Sequence, residues 1–103
     1  MKKYACHRIY DCESHYYPQS VVMINDTGRI DMIYQFDQEM ASTEWIGGII
    51  ILSDKEEMAP HRDFKSILRY LTCPTNQPLY AWHFSAFNFE SEELCPTCII
   101  RRL

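Results

Sequence analysis

Residues 45–52 read Trp-Ile-Gly-Gly-Ile-Ile-Ile-Leu, with no charge in the run. A strand with one wet face alternates apolar and polar positions, so four consecutive apolar residues at 49–52 predict a strand covered on both faces. Two adjacent glycines would cost a helix about 2 kcal/mol. Gly47 and Gly48 instead predict a bulge or a close backbone approach where that strand begins. This stretch is the expected centre of the fold.

Period-two patterns surround it. Residues 3–10 (Lys-Tyr-Ala-Cys-His-Arg-Ile-Tyr) place Tyr4, Cys6, Arg8 and Tyr10 on one face and Ala5, His7 and Ile9 on the other. Neither face is cleanly apolar, which predicts a strand near a sheet edge. Residues 20–25 and 29–36 predict a hairpin around Asp26-Thr27-Gly28, with Gly28 at a positive-φ position. In its second strand Ile30, Met32, Tyr34 and Phe36 would share the buried face. Residues 37–44 read as an acidic connection. Residues 78–84 predict another strand, 86–94 an irregular loop and 98–103 a short terminal strand.

The period changes once. Phe64, Ile67, Leu68 and Leu71 recur at helical spacing, which predicts an amphipathic helix at about 56–72. Pro60 falls near its first turn, Asp63 complements its positive end, and Cys73-Pro74 stops it. These elements predict a mainly β, sandwich-like fold with that one helix, in a single domain spanning 1–103.

At 103 residues the chain is long enough to bury a core without staples. Its net charge of −4 argues against nucleic acid and anionic membrane as partners, since both need a basic face. No stretch approaches the ~20 apolar residues of a membrane span. The basic start Met1-Lys2-Lys3 has no apolar h-region after it, so a cytoplasmic location is expected. Five cysteines, an odd number, then read as free thiols.

The strand carrying Arg8-Ile9-Tyr10, the hairpin at 21–30 and the run Gly47-Gly48-Ile49-Ile50-Ile51 together resemble the opening of amidohydrolase-superfamily metal-dependent hydrolases. There these strands build a small composite β-sandwich before a catalytic barrel. Residues 84–103 resemble the segment that returns from the barrel to complete the sandwich. The likeness spans about 1–52 and 77–103, with the helix outside it. In the family the apolar run leads through Pro-Gly into a metal-binding His-x-His pair. Here Leu52-Ser53-Asp54-Lys55 follows, and about 25 residues stand where a barrel needs roughly 200. The resemblance therefore implies a sandwich without its barrel: no enzyme, no catalytic residue and no cofactor.

Cys95-Pro96-Thr97-Cys98 is the motif with the clearest chemistry, because two thiolates on one turn can grip a tetrahedral Zn²⁺. The chain has no second C-x-x-C. The supplementary ligands would be Cys6 and His7, or Cys12 and His15, giving a small zinc-binding protein as the alternative function. The same four residues read equally as a turn before a strand. Redox chemistry would need a thiol at a helix N-terminus, and strand-forming Ile99-Ile100 follow instead. A cysteine nucleophile paired with His7, His15, His61 or His83 has no local signature, and His83 between Trp82 and Phe84 reads as a core or interface histidine. Glu56, Glu57, Glu90, Glu92 and Glu93 read as solvated surface.

The leading expectation is a non-catalytic β-domain that self-associates or binds a protein partner. The aromatic run Tyr80, Trp82, Phe84, Phe87 and Phe89 exceeds what a small core readily covers, and each ring left exposed forgoes roughly 1.5–3 kcal/mol. A homodimer would cover them.

Overall fold

The computed structural model describes residues 2–12, 15–35, 43–58, 63–72 and 80–103, except for the Cys12 side chain. Strands β1 (Lys2–Cys12), β2 (His15–Ile24), β3 (Ile30–Gln35), β4 (Thr43–Trp45), β5 (Ile49–Ser53), β6 (Tyr80–Phe84) and β9 (Ile100–Arg102) form one sheet. Its order is β3-β2-β1-β5-β6-β9, with β4 also pairing β1. A second sheet joins β7 (Phe87–Asn88) to β8 (Glu93–Leu94), and α1 (Phe64–Thr72) is the one helix among the described residues. The chain is mainly β and sandwich-like, as its period-two patterning predicts.

Strand β5 is buried at all five positions, so its unbroken apolar run is explained. Ile49 and Ile51 face one cluster with Tyr10, Trp82, Phe84 and the α1 residues Phe64, Ile67, Leu68 and Leu71. Ile50 and Leu52 face the other with Tyr4, Cys6, Ile9, Val22, Ile24 and Ala81. No helix among the described residues covers this second side. It is closed by curvature: Ile30 and Ile33 from one end of the sheet and Leu103 beyond the other pack against the same cluster. Each fully buried aliphatic side chain contributes roughly 1.5–3 kcal/mol, so both faces matter to stability.

Helix α1 begins later than its predicted start. The Asp63 carboxylate accepts from the Ser66 amide at 3.0 Å, capping the helix just before Phe64. Pro60 lies outside the described residues. Residues 54–58 are a strap, held by bonds that helical backbone would not leave free. Trp82 Nε1 donates to Lys55 O, Tyr70 Oη to Glu57 O and Tyr80 Oη to Glu56 Oε1. At the other end of α1, the buried Ser53 hydroxyl donates to Leu71 O at 2.6 Å, tying helix to sheet.

The hairpin forms as expected. Gly28 has φ +81°, and Asn25 Oδ1 accepts from the amides of Thr27 and Arg29. Several finer expectations are overturned, one of them by a register slip. Strand β1 is interior, pairing with β2, β4 and β5, and not at an edge. Its alternation changes phase near His7: Cys6 and Ile9 face the same cluster while Tyr10 faces the opposite one. The pattern therefore looks mixed although each half is regular. In β3 a slip opposite Met23 and Ile24 leaves Asp31 unpaired, so Ile30 and Ile33 pack inward and Met32 is 55% exposed. Phe36 lies outside the described residues. Residues 43–45 form a strand parallel to β1, and 87–94 form a small hairpin instead of an irregular loop. Tyr80, Trp82, Phe84 and Phe87 are buried within this one chain, and Phe89 packs against their cluster, so the aromatic run needs no partner. Among the described residues no helix is long and apolar enough to cross a membrane.

Candidate functional site

The phase change in β1 has a chemical result. His7 drops out of the β1–β2 ladder, which runs Cys6↔Ser20 and then Arg8↔Pro18, and the opposing Gln19 takes a left-handed φ of 41°. His7 and Arg8, adjacent in sequence, both reach Phe89 beside the helix-side cluster. Beside them the path along β1 breaks between β4 and β5 at Ile46-Gly47-Gly48, so Trp45 and Ile49 are offset by one extra residue.

These irregularities assemble a ridge of rings and one cation. His7 sits edge-on to Trp45 at 4.9 Å and to Phe89 at 5.4 Å between ring centroids. The Arg8 guanidinium lies over Phe89 at 5.0 Å and over Tyr16 at 4.5 Å. It donates through one terminal nitrogen to Tyr10 Oη at 3.0 Å. Partial burial opposes its charge, but the Tyr10 bond and the neighbouring Tyr10, Tyr16 and Glu92 outweigh this and raise its pKa. Burial likewise holds the Tyr10 phenol above its usual range, against the nearby cation. A cleft of about 370 Å³ opens here, lined by His7, Arg8, Tyr16, Pro18, Gln19 and Phe89. Glu92, the other non-glycine residue with a left-handed φ among those described, borders the adjoining cleft with Tyr10 and Lys65. Backbone strain of about 1–3 kcal/mol per residue persists only where surroundings enforce it; of the two instances here, Gln19 lines the Arg8 cleft and Glu92 acts on the Arg8 charge.

The zinc ligand set does not come together. Cys6 is fully buried on the far side of the sheet, while Cys98 packs against the helix-side cluster. Burial pushes the Cys6 thiol up to about 12, against opposing hydrogen bonds with the Arg8 and Ile50 backbone. Cys6 is thus a buried, protonated thiol at neutral pH, on the other side of the sheet from Cys98. His7 sits among the rings of Trp45 and Phe89. Cys95 and Cys98 close a turn through the Cys98 amide and Cys95 O at 3.0 Å. That turn leads into β9, the structural reading of the motif. His15 bonds Asp11 at 2.8 Å on an exposed edge. His61 and the Cys12 side chain lie outside the described residues. Among those described, no three of His, Cys, Asp and Glu gather closely enough to hold a metal.

His83 is a core histidine. It is 7% exposed, and its Nε2 donates to Gly47 O at 2.7 Å, fixing the turn that carries Trp45. Burial lowers its pKa; Arg101 adds to the shift, while the Gly47 bond and Glu44 oppose it. On acidification the unfolded chain therefore takes up this proton first, near pH 6.5. His83's contribution is complete above that pH and is lost as pH falls towards the folded value. We expect unfolding midpoints to drop between pH 7 and 5, by at most about 1.4 kcal/mol per pH unit from this one group. His83→Gln should flatten that part of the profile. An unchanged slope in the variant would remove His83 as its source.

Arg8 was not among the candidates that sequence offers. Its partners Phe89 and Trp45 are remote along the chain, and only the same-face spacing of Arg8 and Tyr10 hints at their bond. No protein-family model, curated protein or solved structure matches the chain.

Proposed function

We propose that this chain is a non-catalytic β-module that works by binding polypeptide, in the first place a second copy of itself, and that it is related to the composite domains of amidohydrolases. One observation carries the binding reading. Trp45, His7, Phe89, Arg8 and Tyr16 form a continuous surface ridge, with Trp45 44% and Tyr16 37% exposed. Trp, Tyr and Arg are the residue types that dominate binding energy at interfaces. Exposed Glu92 acts on Arg8, and exposed Glu90 and Glu93 sit on the same β7–β8 segment as the ridge residue Phe89. A face that carries both a cation and carboxylates can pair with itself under a two-fold axis. The kinship is supported by strand order: first and last strands share one sheet, with the β2–β3 hairpin between β1 and β5 in sequence.

Sedimentation velocity at micromolar concentrations tests the assembly. A species of twice the 12.3 kDa chain mass is expected, reverting to monomer in Trp45→Ala. A monomer at every concentration would refute self-association.

A further inference from the structure

We propose that the cleft at Arg8 is a receptor for a carboxylate group, held by the free edge of the guanidinium. The Arg8 guanidinium carbon lies over the rings of Tyr16 and Phe89, 4.5 and 5.0 Å from their centroids. One terminal nitrogen is engaged by Tyr10 Oη. Two rings and one hydrogen bond thus hold the group in place, while the guanidinium donors not used by Tyr10 make no hydrogen bond to a described residue. Among the described residues no carboxylate lies within ion-pair distance of it. An arginine fork matches the two oxygens of a carboxylate, and immobilising it beforehand removes part of the ordering cost of binding.

The surroundings define the ligand further. The cleft adds Pro18 and Phe89 as apolar walls and the amide side chain of Gln19 as a second polar group. Its volume of about 370 Å³ suits a carboxylate carried on a compact apolar body. Glu92 is near enough to act on Arg8, and the chain carries a net charge of −4. That field opposes a dianionic phosphate more than a monoanion. Of the two non-glycine positions with left-handed backbone among the described residues, Gln19 lines this cleft and Glu92 acts on the Arg8 charge. An acidic side chain of a second copy and a free organic acid are two sources of the same ligand chemistry.

The site is testable without presupposing self-association. Sodium benzoate is titrated into the Trp45→Ala chain, shown by sedimentation to be monomeric, while ¹⁵N–¹H spectra follow the Arg8 side chain and the Gln19 amide. Saturable shifts with a Kd on the order of 1 mM are expected. Neutral benzamide and inorganic phosphate should each bind at least tenfold more weakly. Arg8→Gln should abolish the shifts, and Arg8→Lys, which keeps the charge without the fork, should weaken them about tenfold. The same spectra report whether each variant is folded. Equal shifts from benzoate and benzamide, or undiminished affinity in a folded Arg8 variant, would overturn the proposal. An acetylated, amidated glutamate competing with benzoate places the natural source on a polypeptide; benzoate binding without that competition places it on a free acid. A monomeric wild-type chain that still binds benzoate would defeat the assembly reading and leave this one standing.

Discussion

Replacing Gly48 with alanine is expected to lower the unfolding free energy by about 3 kcal/mol or more, judged from the cost of left-handed backbone plus a main-chain overlap. Gly48 has φ +76°, and a Cβ built there would overlap the Phe84 carbonyl oxygen, with Ser85 C only 2.9 Å away. Those are main-chain atoms between β6 and the Ser85 amide's bond to Ile99 O, so they cannot swing aside as a side-chain end would. Gly28 is the natural control. Its φ of +81° is as unfavourable to alanine, but nothing lies within 4 Å of the position. Gly28→Ala should therefore cost only about 1–2 kcal/mol, the backbone part alone. Urea midpoints of the two variants separate steric overlap from backbone strain. Equal midpoints would mean that β5 and β6 do not approach as described.

Phe84→Ala should cost about 3–5 kcal/mol. Phe84 is the largest of the fully buried side chains and belongs to the cluster that joins β5, β6 and α1. Truncation removes apolar area and leaves a cavity whose walls are a sheet and a helix tied together at Ser53, so collapse into it is limited. Against a total stability of about 5–15 kcal/mol, this brings the domain close to unfolding. Phe84→Leu keeps much of the volume and should cost about half as much. Thermal or urea unfolding reads both. A loss under 1 kcal/mol for alanine would show this core to be loosely packed.

How far the chain could be read follows from where its periodicities hold. β5, the β2–β3 hairpin and the core stripe of α1 were legible because apolar spacing runs unbroken through each. The close approach at Gly48 was legible because two adjacent glycines before a strand have few other uses. Legibility failed where the alternation changes phase. It does so near His7 with the β1–β2 register unchanged, and at Asp31 through a slip of one residue, and a pattern averaged across these points misassigns β1 to an edge and Met32 to the core. The strap at 54–58 looked helical because its polar residues match a helix surface. Its actual bonds, to Trp82, Tyr70 and Tyr80, come from residues 13 to 27 positions away. The Arg8 cleft fails for the same reason. A lone arginine on a strand reads as a surface charge until Tyr16 and Phe89 close on it.

The pairing of β1 with β5 also sets a route for folding. β1, β2 and β3 follow one another through short connections, so their antiparallel meander can close early. Arg8 meets Ile49 only across about forty intervening residues. Closing that loop costs chain entropy before the parallel ladder returns any hydrogen bond, and the β5–β6 and β6–β9 ladders wait upon it. Topologies of this kind fold in milliseconds to seconds, not microseconds. Until β5 arrives, Ile50 and Leu52 have no core to enter, and the strand most thoroughly hidden in the native state is the one most exposed while the chain is still searching.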